Sequence, residues 1–237
     1  MRERTLVAIG EHAAARLGRG DALGDARVVL FDGSAASVQP LFSGSGAVDV
    51  VLDGRLVRYF VVTAPAGTAS LAELRRVARV RFEELFALDP MAFELAADWR
   101  VAGMFLCCAM PRAITEVLVQ SAMSARASIV SMAPLFVRVL DSVRRPTGWI
   151  VVRANAWVTA AHFDKGAIGL LRSTALDAMH PLEPWLVGLC LVSGLAVAKP
   201  LVLDADQPQL LPAEWQRLDQ LRRDVALLAT LDATEAV

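Results

Sequence analysis

Residues 148–175 read GWIVVRANAWVTAAHFDKGAIGLLRSTA, and this stretch decides the fold. Three β-prone runs stand in line, at 149–153, 156–163 and 167–175, and Asp164-Lys-Gly166 supplies the turn between the last two. Beyond Ala175 the pattern extends. Pro181 or Pro184 opens an apolar helix to about residue 197, residues 200–204 make another strand, and Pro212 starts a closing helix over 213–230. The order is βββ-α-β-α.

Working toward the N-terminus, the same plan is legible in longer form. Residues 4–9 read as a strand ending at Gly10, and 27–31 as another closed by Asp32-Gly33. The Ala-rich segment between them, 11–17, fits strand or helix. Residues 33–46 are small and polar and read as a mobile loop. Runs at 48–52 and 56–62 flank Asp53-Gly54-Arg55, which predicts a tight hairpin because Asp-Gly favours positive φ. Ser70 and Glu73 form a capping box before a helix with Leu71, Leu74, Val77, Phe82 and Leu85 at helical spacing, stopped at Asp89-Pro90. Strands at 92–98 and 102–109 turn near Arg100, Pro111 opens a helix to about 123, 128–133 is a strand, and Pro134 opens a helix ending at Arg144-Arg145-Pro146. The expectation is an α/β protein of two related lobes, 1–146 and 147–237, each a mixed sheet with flanking helices and the second reduced.

Composition narrows the function classes. The 237 residues carry 24 Lys+Arg against 25 Asp+Glu, and 55% are hydrophobic, so a large core is available and a basic nucleic-acid-binding face is not. Cys107, Cys108 and Cys190 do not make a disulfide framework or a zinc spacing, which suits a reducing compartment. The uncharged stretch 185–198 is 14 residues long, where a membrane span needs about 20, and reads as a buried helix. The chain is expected to be soluble.

Two lobes that each open with a three-stranded meander resemble the actin-like ATPases, a ribonuclease H-like fold. That resemblance implies an Asp-Ile-Gly type turn in each lobe, whose N–H groups cradle nucleotide phosphates and whose acids help hold Mg²⁺. Residues 6–10, Leu-Val-Ala-Ile-Gly, are similar to the first turn, but Ala8 stands where the acid would be, two residues before Gly10. In the second lobe Arg153 falls near the acidic position, with Asn155 beside it, and no Asp or Glu lies between Arg145 and His162. Mg²⁺ requires oxygen ligands, and phosphoryl transfer depends on the metal, so these degenerate turns predict no cofactor and no catalytic residue. The alternative is an active actin-like or sugar-kinase-like ATPase using Mg-ATP, in which Asp32, Asp49 or Asp53 supplies the acid.

A narrower resemblance covers roughly residues 48–175. The runs Val50-Val-Leu-Asp-Gly-Arg-Leu-Val-Arg-Tyr-Phe-Val-Val62, Cys107-Cys-Ala-Met-Pro-Arg-Ala-Ile-Thr-Glu116 and Ile129-Val-Ser-Met-Ala-Pro134, in that element order, resemble the PilM proteins of type IV pili and the GspL cytoplasmic domains of type II secretion systems. The resemblance implies a non-catalytic cytoplasmic scaffold, peripheral to the inner membrane, that binds a membrane partner's cytoplasmic tail or the assembly ATPase; a homodimer is a further option. GspL-type proteins carry a membrane span after this domain, and this chain is expected to have none.

Remaining candidates for chemistry carry less. His162 with Asp164, and His12 beside Glu11, are ordinary surface pairings at turns. Cys107 and Cys108 behave as small apolar residues in a strand. For partner binding, Arg75, Arg76 and Arg79 project from the helix over 71–87 and would attract an acidic tail, while Trp215 in the closing helix is an amphipathic anchor.

Overall fold

The computed structural model describes residues 4–18, 21–22, 25–65, 67, 70–99, 103–144, 146–177, 179–196, 200–206, 216–217 and 222–235. Its first sheet begins with the meander β1 (Thr5–Ile9), β2 (Ala13–Leu17) and β3 (Arg27–Leu30). To this β4 (Ala47–Leu52) and β8 (Ser128–Pro134) add in parallel, giving the order β3-β2-β1-β4-β8. The ambiguous segment at 11–17 is therefore strand. Its alanines lie flat in the centre of the sheet, where Ala13, Ala14 and Ala15 are buried.

Between β4 and β8 the chain builds a separate three-stranded sheet, β5 (Arg58–Thr63), β6 (Phe93–Ala97) and β7 (Met104–Pro111), in the order β5-β7-β6. Helix α2 (Leu71–Phe86) covers its outer face, burying Ala78 and Phe82 against Phe60, Val62 and Phe105. The capping box forms as read: Ser70 accepts from the Glu73 amide, and Glu73 reaches back to the Ser70 amide. Helix α3 (Arg112–Ser124) then leads into β8, and α4 (Leu135–Ser142) closes this half.

The second sheet repeats the first. Strands β9 (Gly148–Ala154), β10 (Trp157–Asp164), β11 (Ala167–Ala175), β12 (Leu201–Asp204) and β13 (Gln216–Arg217) lie in the order β11-β10-β9-β12-β13, with the same antiparallel meander and parallel additions. Helix α5 (Leu182–Ser193) buries Leu182, Leu186 and Cys190 against Trp149, Val151 and Val158. Its other side leaves Val187, Leu191 and Val192 exposed, so the uncharged stretch is only half buried. Among the described residues no helix is long and apolar enough to cross a membrane.

Three expectations change. Residues 33–46 are not a loop: α1 (Ala35–Phe42) forms there, capped by the Ser34 hydroxyl, which accepts from the Ser37 amide. Val38, Leu41 and Phe42 bury one face at helical spacing, enough to order a segment that otherwise reads as small and polar. The Asp53-Gly54 hairpin does not exist. Asp53 keeps φ at −60° and caps a short 3-10 turn over Gly54–Leu56, and the chain leaves the first sheet for the edge of another. The reason is burial: β4 is a central parallel strand whose partners on both sides, β1 and β8, are already in place. Finally, the closing helix α6 (Arg222–Glu235) starts later than read, because Gln216–Arg217 first supplies the fifth strand beside β12.

Both sheets face one core. Leu6, Ala8 and Val51 from the first and Ile150, Val152, Phe163, Ile168 and Leu203 from the second belong to one continuous core, to which α6 adds Leu227, Leu228 and Leu231. Helix α6 comes after the second sheet in sequence but lies across β1, β2 and β3 of the first.

Candidate functional site

The two β-hairpin turns that open the halves lie at the same end of their sheets, and strand register fixes their correspondence. Ile9 pairs with Ala14 and with Leu52; Arg153 pairs with Val158 and with Asp204. Beyond those pairs the Asp53 amide donates to the Ile9 carbonyl at 2.9 Å, and the Ala205 amide to the Arg153 carbonyl at 2.8 Å. Ile9 and Arg153 are therefore equivalent, and so are Ala8 with Val152 and Gly10 with Ala154. Arg153 sits one residue beyond the position that matches Ala8. Ala8 and Val152 are both buried among apolar neighbours.

The second turn is a two-residue loop with Asn155 at φ 53° and Ala156 at φ 52°, the conformation of a tight hairpin turn. Its two amides point outward and meet one carboxylate. Asp206 accepts from the Asn155 amide at 2.9 Å and from the Ala156 amide at 3.0 Å, one on each oxygen. Burial pushes the Asp206 carboxyl above the ordinary range, against the pull of those two amides. Arg153 lies fully buried beside it. Its Nε and Nη2 reach the two oxygens of Asp204 at 2.9 and 2.6 Å, and Nη1 donates to the His180 carbonyl at 2.5 Å. Such a two-pronged pair satisfies both ions where neither has water.

Asn155 also crosses to the other half. Its side-chain amide donates to Asp53 Oδ2 at 2.5 Å, while the Arg55 amide donates to Asp53 Oδ1 at 2.8 Å. Burial is the main influence on the Asp53 carboxyl and raises it, with Arg55 and Asn155 opposing. Next to this bridge Trp157 packs on Gly54 so closely that a β-carbon there would lie 2.8 Å from the indole Cδ1. The Trp157 indole N–H donates to Ser173 Oγ at 2.8 Å, which fixes the ring.

At the first turn, Gly10 has a packing reason: an added β-carbon would stand 3.0 Å from Leu231 of α6. Glu11 and His12 line a shallow hollow with Asp32, Leu56 and Ile114. Of the three acids that could rescue a nucleotide site, Asp32 is exposed there, and its bonding to Ser34, through the side chain first and the amide second, lowers its carboxyl. Asp53 is tied to Asn155. Asp49 lies near the opposite end of β4, bonded to Ser131 and Arg4. As arranged, the residues do not fit a Mg-phosphate group: the second turn's amides already hold a carboxylate, and both acid positions are apolar. Among the described residues no three His, Cys, Asp or Glu side chains gather as a metal site.

The partner-binding candidates separate. Arg75 stacks over Trp99, its guanidinium carbon 5.7 Å from the ring centroid. Arg76 turns to the other flank of α2, beside Val61 and Thr63 of β5. Arg79 is exposed, and Trp215 lies outside the described residues. Cys107 and Cys108 are buried, which pushes both thiols up, Cys108 to about 12. The sequence reading missed Asp204 and Asp206. The available signal was their place just after an apolar strand, the end at which parallel sheets gather polar groups.

No family model matches this sequence, and no curated protein does. Solved structures match over nearly the whole chain. The cytoplasmic domain of EpsL, an inner-membrane component of the type II secretion system of Vibrio cholerae, aligns with 98% of this chain and 94% of its own, at 14% identity and a TM-score of 0.59. A chain of the PilM–PilN type IV pilus biogenesis complex aligns with 98% of this chain and 88% of its own, at 13% identity and 0.55. A Bacteroides thetaiotaomicron protein with an actin-like ATPase fold covers 95% and 96%, at 8% identity and 0.54. With the repeated sheet order and the paired turns, these likenesses establish the fold: the chain is an actin-like ATPase fold, similar in structure to EpsL and PilM.

Proposed function

We propose that this chain is a non-catalytic cytoplasmic scaffold of a type IV pilus or type II secretion assembly platform, with residues 1–146 and 147–237 as its lobes. It is held at the inner membrane through a partner, by binding that partner's cytoplasmic tail or the assembly ATPase. Support for the setting comes from the two solved structures it resembles end to end. The non-catalytic part rests on one observation above all: Asp206 occupies both amides of the second turn, where this fold would present them to a phosphate. A bound nucleotide would have to displace that carboxylate and bring its own charge next to it.

Titration of the purified chain with Mg-ATP tests this. A ligand at 100 times its Kd stabilises a folded protein by about 2.7 kcal/mol, a melting shift that is easily read. The expected result is a flat melting curve and no phosphate release. A shift accompanied by phosphate release returns the chain to the active ATPases. Co-isolation with an inner-membrane platform protein, lost when that protein's cytoplasmic tail is deleted, tests the scaffold role.

A further inference from the structure

Strand β5 has one edge paired and one open. Among the described residues it pairs with β7 alone, in antiparallel register from Arg58↔Ala109 to Thr63↔Met104. The Ala64 amide donates to the Gly103 carbonyl at 2.8 Å, which continues the same register. Antiparallel pairs alternate between bonded and non-bonded. Residues 58, 60 and 62 therefore spend their main-chain groups on β7, while Tyr59, Val61 and Thr63 present theirs to the open edge. Among the described residues no backbone partner meets those outward groups. An open edge of this kind is a template for another strand unless something covers it.

Here the edge is walled but not covered. Two adjoining hollows of about 660 and 560 Å³ run along it and share Val61 and Arg81, so that together they track β5 from Val57 to Thr63. One wall is α2, with Val80 and Leu85 exposed on it. The other is β11 at residues 169–173, where Gly169 leaves room for a main chain to approach. The rim is basic. Arg58, Arg76, Arg81 and Arg172 face the groove, against one acid, Glu84, already paired with Arg81 at 3.2 Å.

We propose that this groove docks an extended acidic segment of a partner chain, added to the sheet as a fourth strand beside β5. The proposal rests on the scaffold reading and gives it a seat. Main-chain bonds from Tyr59, Val61 and Thr63 hold the segment, apolar side chains meet Val80 and Leu85, and acidic ones meet the arginines. A second copy of this chain is a poor occupant, because pairing β5 with β5 would set two arginine rims against each other.

The probe is a fluorescein-labelled peptide of four Val-Glu repeats, added to the full chain. Binding read by anisotropy is expected to fall at least tenfold when Lys replaces Glu, and equally when alternate amides are N-methylated. Arg81→Glu with Arg172→Glu, both exposed, is expected to weaken it at least tenfold with far-ultraviolet circular dichroism unchanged. Val61→Pro removes an outward N–H without touching the ladder to β7 and is expected to do the same. Hydrogen exchange at the amides of residues 59, 61 and 63 slows on binding. Equal binding of the N-methylated peptide, or no protection at those three amides, overturns the seat. Protection that rises with protein concentration and no peptide also overturns it, in favour of self-pairing. None of these results touches the platform reading, which fails separately if no inner-membrane tail or assembly ATPase retains the wild-type chain.

Discussion

Arg153 and Asp204 show what a buried charge requires. Each is buried, each is satisfied by the other, and Arg153 has one further bond to the His180 carbonyl. Removing Asp204 leaves the buried Arg153 with only the more distant Asp206 carboxylate, 3.9 Å away and already held by two amides. Asp204→Ala is therefore expected to cost about 3–5 kcal/mol in urea denaturation, whereas the double change Arg153→Met with Asp204→Leu costs much less. Equal losses in the two variants would show that packing, not charge, governs the site. Asp53 gives a second test, in pH. Burial raises its folded-state carboxyl above the ordinary 3.8, so the folded chain keeps a proton that the unfolded chain has released. Stability then falls as pH rises from about 3.8 through the raised value, because the unfolded state binds fewer protons across that window. Urea midpoints from pH 4 to 7 are expected to decline less steeply in Asp53→Asn, and an unchanged slope would remove Asp53 from the account.

Between elements, the decisive contact is the second hairpin turn seated on the Asp53–Leu56 turn. Gly54 allows it, since any β-carbon there meets Trp157 at 2.8 Å, and the indole cannot retreat while bonded to Ser173. Gly54→Ala is expected to cost about 1–3 kcal/mol through overpacking, measured by thermal melting, and Trp157→Phe in the same chain to recover part of it. If the alanine variant melts like the wild type, the two turns are not in firm contact. Nothing in the sequence marks this junction. Asp53 and Asn155 stand 102 residues apart, and Asp53-Gly54 carries the local signal of a hairpin. Tertiary placement overrode that signal, because β4 lies between two parallel partners. Local chemistry was legible where it acts locally: the capping box at Ser70, the helix starts at Pro111 and Pro134, and the turn at Asp164-Lys-Gly166 all form as read. Helix α1 was hidden because three buried side chains, Val38, Leu41 and Phe42, order a segment whose other residues are small or polar. The repeat itself was legible, since β-strand runs and their turns recur in one order.

At the scale of the molecule, the two sheets are not independent bodies. They share a core, and α6 ties them in an unexpected direction. It comes after the second sheet yet buries Leu227, Leu228 and Leu231 against the first, and its Asp224 pairs with Arg138 of α4 at 2.6 Å. A chain arranged in this way should unfold as one unit. In a Trp99→Phe background the remaining tryptophans, Trp149 and Trp157 among them, all follow residue 147 and report on the second half, while far-ultraviolet circular dichroism reports on both. Their denaturation curves are expected to coincide. Leu228→Ala removes a fully buried side chain from the strap and is expected to cost about 2–5 kcal/mol, moving both curves by the same amount. Tryptophan fluorescence that holds its wild-type midpoint while the dichroism shifts would mean that α6 stabilises the first sheet alone. The halves would then be free to hinge. Coincident shifts would leave the turns locked together through Asp53 and Asn155, and the proposed docking beside β5 would then need no parting of the two halves.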